Sequence, residues 1–308
     1  MAKLNKENRM SEHFLNIKEF LGTDNTSDLA SVSLPRKAGI FFYKLDNVDV
    51  DDNGKPHRRD GYSSAIYNGS TVRSLWANDK ICLFADGTHF KSLNDYNVAT
   101  NLIDGIDATD KFCYVEHGTL VYFANSLIIG YINTNTGTPH PFTDPAQAHK
   151  AMMVGGQVLE FYNSRLYSAN GCNLFFSDAT IPTRMDTRKN ILAFPNRITM
   201  VKAVDDGMYV SDSNYVYFMA GSDPRTDFRQ RKVLDVPAIE GMSVTAKVKG
   251  KVTKNTVYWM TKKGIYAGYN SGEVGVQQAG LFAVDGLQSG TAIIKDGTYQ
   301  QLLMVGKY

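Results

Sequence analysis

The chain has 308 residues, 43% of them hydrophobic and 21% charged, with 17 Tyr and 16 Phe, a composition that excludes a disordered chain and fits a β-rich protein with aromatic packing surfaces. A formal net charge of +2 excludes the electrostatic footprint of a dedicated duplex-DNA binder. The three cysteines, Cys82, Cys113 and Cys172, form no CxxC pair and are read as small apolar filler in a reducing compartment, with neither disulfide nor metal use expected.

At the amino terminus, MAKLNKENRM lacks the apolar core of a secretory signal, so export by that route is not expected. The stretch SEHFLNIKEFL from Ser11 to Leu21 places Phe14, Leu15, Ile17 and Leu21 near one helical face, with Ser11 as a cap and Gly22 as a stop. A short amphipathic helix is predicted there. Residues 23–37 show little periodicity, so 1–37 reads as a helix and connecting arm, and 38–308 as the main domain. Between Gly39 and Tyr62, Asn53–Gly54 is the strongest short hairpin signal of the chain.

From there a strand–turn–strand unit recurs six times: LWANDKICLF, YVEHGTLVYF, FYNSRLYSA, VDDGMYVSD, TKNTVYWMT and IKDGTYQQLLMV. With Asn78, His117, Asn163, Asp206, Asn255 and Asp296 as turn markers the steps are 39, 46, 43, 49 and 41 residues. This is the period of a four-stranded propeller blade, which buries its two faces only by stacking on neighbours. The expected fold is an all-β propeller of about six four-stranded blades. The last repeat supplies only two evident strands, so amino-terminal strands are expected to close the ring. The apolar stretch from Gly118, GTLVYFANSLIIGYI, is broken by Asn125 and Ser126 and reads as a buried hairpin, too short to span a bilayer. Two longer connections, 133–150 and 179–196, read as partner-contacting loops.

Asp49, Asp51, Asn53 and Gly54 match the first half of a calcium loop. Asp60 stands where the bidentate Glu belongs, however, and Lys55, His57, Arg58 and Arg59 would repel a divalent ion. A hairpin with cross-strand charge pairing is the simpler expectation, and no metal is assigned. The run from Asp223 to Lys232 carries four cations from Arg225 onward and reads as an exposed blade edge charged against strand pairing. The six histidines show no ligand spacing, and no GxSxG elbow or phosphate loop is present. Carboxylates recur near strand ends at Asp86, Asp178 and Asp212. A propeller glycosidase would gather such groups around its axis, but turn capping accounts for them more simply. No catalytic, cofactor or metal residue is assigned, and no enzyme activity or cofactor is expected.

Four segments, DNVDVDDNGKPHRRDGY at 46–62, SLWANDKICLFADGTHFKSL at 74–93, NLFFSDATIPTRMD at 173–186 and FPNRITMVKAVDDGMYVSDSNYVYFMAGSDP at 194–224, together resemble propeller-type virion proteins of tailed bacteriophages, of the short-tail nozzle, hub or DNA-stabilisation kind. The resemblance implies a non-enzymatic structural subunit in a ring of identical copies, with a hexamer as a candidate stoichiometry. It also implies portal, adaptor or other tail proteins as partners, double-stranded DNA passing transiently through the ring, no membrane partner, and localisation in the virion after assembly in the host cytoplasm. The alternatives are a receptor- or glycan-binding tail propeller using Trp76, Trp259 and exposed tyrosines, and, further off, the glycosidase.

Overall fold

The structure, a computed structural model, describes residues 20–23, 40–42, 48–50, 56–58, 65–94, 96–248, 253–279, 284, 286–295 and 301–307. The chain divides into two compact units, Met1–Gly61 and Tyr62–Tyr308. In the first, β1 (Phe20–Thr23) pairs in parallel with β2 (Ile40–Phe42), and β3 (Val48–Val50) pairs antiparallel with β4 (Pro56–Arg58), Asp49 opposite His57. The hairpin announced by Asn53–Gly54 therefore forms. Of the predicted amino-terminal helix, Phe20 and Leu21 lie in a strand, and the rest is outside the described residues. Asp51, Asn53, Gly54 and Asp60 are also outside them.

The second unit is a series of antiparallel sheets. The first sheet contains β5 (Arg73–Ala77), β6 (Cys82–Asp86), β7 (His89–Leu93) and β8 (Ala99–Asp104); the second contains β9 (Cys113–His117), β10 (Leu120–Ala124), β11 (Ile129–Asn133) and β12 (Pro139–Pro141). After β13 (Lys150–Met152) comes the third sheet, β14 (Val158–Tyr162), β15 (Arg165–Asn170) and β16 (Asn173–Phe176), completed by β18 (Ile191–Ala193), while the intervening β17 (Arg184–Asp186) pairs back with β13. The fourth sheet is β19 (Ile198–Val204), β20 (Gly207–Asp212), β21 (Val216–Ala220) and β22 (Arg229–Leu234). The fifth is β23 (Ser243–Val248), β24 (Lys254–Thr261), β25 (Gly264–Gly268) and β26 (Val274–Ala279), and last come β27 (Ser289–Lys295) and β28 (Gln301–Lys307), which pair with each other. Among the described residues there are thus five four-stranded sheets and four two-stranded ones, of which β27–β28 is the sixth member of the repeat series, and the only helix is a single 3-10 turn, Asn270–Gly272.

The first strands of the six sheets begin at Arg73, Cys113, Val158, Ile198, Ser243 and Ser289, giving steps of 40, 45, 40, 45 and 46 residues. The repeat is real, but its fifth turn is displaced from Asn255, which lies inside β24 opposite Lys247. The supposed loops also contain strand. Residues 133–150 include the outer strand β12, whose two prolines are tolerated at a sheet edge, and 179–196 include β17 and β18. The stretch from Gly118 forms the β10–β11 hairpin as expected, and β22 is an exposed outer strand carrying Arg229, Arg231 and Lys232.

Alternating side chains put an apolar surface on both faces of each inner sheet, and five cores result. Phe90, Phe112 and Phe123 belong to the core between the first and second sheets. Tyr122, Leu159 and Leu166 bridge the second and third, and Tyr167, Phe176, Met208 and Tyr217 the third and fourth. Tyr209, Phe218, Trp259 and Tyr266 bridge the fourth and fifth, and Met260, Leu287 and Met304 reach the two-stranded sheet. Each fully buried large side chain contributes roughly 1.5–3 kcal/mol. Approach at the fourth junction is close: a Cβ on Gly268 would stand 2.6 Å from the Tyr209 ring and 2.8 Å from Trp259.

Candidate functional site

The antiparallel order places every first-to-second and third-to-fourth strand turn at one end of the sheets. Two acidic neighbourhoods lie there. One centres on Asp178, just after β16 and buried. Its Oδ2 accepts from Lys150 Nζ at 2.8 Å and Arg184 Nε at 3.0 Å, and its Oδ1 accepts from Arg225 Nη2 at 3.0 Å and Asn190 Nδ2 at 3.2 Å. These donors come from the connection between the second and third sheets, from β17 and its following turn, and from the β21–β22 turn of the fourth sheet. Local sequence makes this possible: Asp186 accepts the Arg188 backbone N–H at 3.0 Å, folding the ThrArgLysAsn turn back, and it faces Lys150 across the β13–β17 pair. Alongside, Arg165 joins Asp223 at 3.0 Å and donates to the Ser177 carbonyl at 2.9 Å.

Burial pushes the Asp178 carboxyl up, but hydrogen bonds from Lys150 and Arg184 outweigh it and hold the group below its ordinary range. The Arg188 guanidinium and backbone N–H hold Asp186 well below that range too. With four donors on two oxygens Asp178 has little proton affinity and no open face. The cluster is suited to clamping, not to acid–base chemistry.

The other neighbourhood is a cavity of about 440 Å³. His117 at the end of β9, Phe161 at the end of β14, Asn163 in the β14–β15 turn, Ala203 near the end of β19, Asp205 in the β19–β20 turn and Asn255 of β24 line it, so four successive sheets contribute. The two-residue turn at Asn163 and Ser164 takes left-handed backbone angles, φ 43° and 62°, matching a hairpin turn that follows strand twist. The His117 ring stacks on Phe161 with centroids 3.8 Å apart. Asp205 accepts from Asn255 Nδ2 at 2.8 Å and Asn270 Nδ2 at 3.2 Å.

The other sequence-nominated carboxylates do not join either neighbourhood. Asp212, fully buried at the end of β20, accepts backbone N–H groups of Asn214 and Tyr215, both at 2.8 Å, and the Asn196 amide at 3.1 Å. Asn125 and Thr261 cap the equivalent turns of the second and fifth sheets. Asp86 binds the Tyr67 hydroxyl at 2.7 Å and Thr71. Asp86 and Asp212 end second strands while Asp178 ends a third, so the three sit at opposite sheet ends and on different sheets. Trp259 is fully buried and Trp76 stacks on Tyr114, so neither is a free platform. Cys113 is turned inward, with burial raising its thiol to about 12, and Cys172 is exposed, against the filler reading for that residue. Among the described residues no three His, Cys, Asp or Glu side chains are grouped to hold a metal, and no helix is long and apolar enough to cross a membrane.

No family model and no curated protein matches the sequence. Among solved structures the chain is similar to BBS1N in complex with ARL6DN, at 11% identity and a TM-score of 0.51 over 82% of this chain and 79% of that one. It is similar to the extracellular domain of the one-component system BT4673 from B. thetaiotaomicron, at 9% identity and a TM-score of 0.50, over 83% of this chain but 37% of the other. The WD40 domain of Neurospora crassa Pan2 is a more distant likeness, 12% identical over 71% of this chain and 68% of that domain, with a TM-score of 0.48. None of these is a phage tail protein. The fold is therefore all-β and propeller-like, and at these identities nothing beyond the fold is carried over.

Proposed function

We propose that the chain is a structural subunit of a bacteriophage tail or neck, one of a ring of identical copies around the DNA conduit that joins neighbouring tail components. The observation that supports this reading is where the resembling segments fall. Segment 74–93 covers three strands of the first sheet, while 173–186 and 194–224 contain Asp178, Arg184, Asp186 and Asp223, the residues that clamp the third sheet to its neighbours. The likeness thus takes in the clamping residues, as suits a scaffold, and with 194–224 also Ala203, Asp205 and Ser222 of the cavity wall. A near-neutral charge of +2 suits a wall past which DNA slides, since a strongly basic lining would retain phosphates. In this reading the two-stranded β27–β28 sheet is the inner half of a sixth blade, completed by amino-terminal strands so that no sheet edge is left open.

Mass spectrometry of purified particles of the encoding phage should find the chain in several copies per particle, and the isolated protein or a particle should show rings by electron microscopy. Its complete absence from particles overturns the reading. The glycan-binding alternative has lost Trp259 as a platform, and the strand-end acids nominated for the glycosidase alternative, Asp86, Asp178 and Asp212, stand apart on different sheets.

A further inference from the structure

The cavity at the turn end of the sheets has no role in the scaffold reading. Its walls contain neither lysine nor arginine. The Asp205 carboxylate is held by amide donors alone, Asn255 Nδ2, the Asn255 backbone N–H and Asn270 Nδ2. Neighbouring Asp206 takes the Ser271 N–H and hydroxyl, and Asp227 the Ser222 N–H and hydroxyl. Among the described residues no cationic group forms a salt bridge with any of the three, whereas Asp178 at the same end meets three. Of the three, Asp205 lines the cavity, and burial followed by the negative charges of Asp206, Asp227 and Asp205 pushes the Tyr162 phenol on its wall above the ordinary range.

We propose that this cavity is a socket for a single arginine side chain projected by a loop of a partner protein, the guanidinium pairing with Asp205 and lying against the His117 ring. A guanidinium is planar, stacks on flat rings and presents a fork of donors to a carboxylate. The cavity, about 440 Å³ and open to solvent, is large enough for one long side chain. A neutral sugar would also satisfy the amides of Asn163 and Asn255, but it would leave the Asp205 carboxylate on the cavity wall without a counter-charge. The inference is independent of which particle the chain belongs to, so its failure is separate from that of the scaffold reading.

The test is calorimetric titration of the full chain with acetyl-Gly-Arg-Gly-amide, its citrulline counterpart, and glucose and galactose. The arginine peptide should bind saturably, and the citrulline peptide at least about tenfold more weakly, as expected for losing one charge-assisted pair. Asp205→Asn should weaken the arginine peptide by about tenfold or more. Ala203→Leu, which fills the cavity from another wall without touching the carboxylate, should abolish binding; circular dichroism checks that both variants fold, and either folded variant decides the matter. Equal binding of the arginine and citrulline peptides, indifference to both substitutions, preferential sugar binding, or no saturable binding of the arginine peptide overturns the proposal.

Discussion

Asp178 and Asp205 are the same residue at the same end of neighbouring sheets, yet one meets Lys150, Arg184 and Arg225 while the other meets only side-chain amides and a backbone N–H. The difference separates two uses of a carboxylate. A buried group saturated by cations holds elements together, and removing it takes their carboxylate from Arg184 and Arg225 and leaves Lys150 only its longer contact with Asp186, at 3.7 Å. A group held by neutral donors keeps its field directed outward, available to an incoming cation.

The strongest way to break this comparison is to remove each acid in turn. Asp178→Ala should lower the unfolding free energy by about 3–5 kcal/mol, read from urea midpoints; a loss no larger than that of Asp205→Asn would erase the distinction. Lowering pH probes the same clamp. Asp178 and Asp186 are held below the ordinary carboxylate range when folded, so the unfolded chain binds their protons first. Stability should be full above about pH 5 and fall as the pH drops through about 4 and below, with a shallower decline in Asp178→Ala; an unchanged slope would mean that other acids dominate. Third in size, Asp212→Ala should cost about 1–3 kcal/mol by leaving two turn N–H groups of the fourth sheet unsatisfied. Tyr167→Phe should leave stability unchanged or raise it by about 1 kcal/mol, because that buried hydroxyl has no partner among the described residues; a clear loss would reveal one. Asp205→Asn should stay within about 0.5 kcal/mol of the parent, the smallest effect and the one that frees the variant for binding work.

The period and the hairpins were legible because strand alternation and turn residues are local signals, as the β10–β11 pair broken at Asn125 illustrates. Asn255 misled for a physical reason. It looks like a turn residue, but it lies in β24 paired with Lys247 of β23, and its side chain bonds Asp205 of the fourth sheet, which no local pattern encodes. The short outer strands β12 and β18 were hidden among proline and polar residues, since an edge strand needs few ladder bonds and little apolar alternation. Asp178 stood out as one of three strand-end acids, and only tertiary structure distinguishes it from Asp212: one gathers donors from remote segments, the other caps its own turn. The cavity left no sequence signal of its own, because its walls combine residues 161–164 of the third repeat, 203–205 and Ser222 of the fourth, and the single residues His117 and Asn255 of the second and fifth.

The packing of the five cores has a mechanical consequence. Among the described residues each core lies between two successive members of the repeat series, the second–third one also taking in Met185 of β17, so within the residue 62–308 unit cohesion passes from neighbour to neighbour. Among the described residues an interior sheet of the series belongs to two cores and β27–β28 to one. Amide protons should therefore exchange slowest in β15, β20 and β24 at the middle of the series and fastest in the carboxy-terminal pair, a graded fraying in place of all-or-none opening.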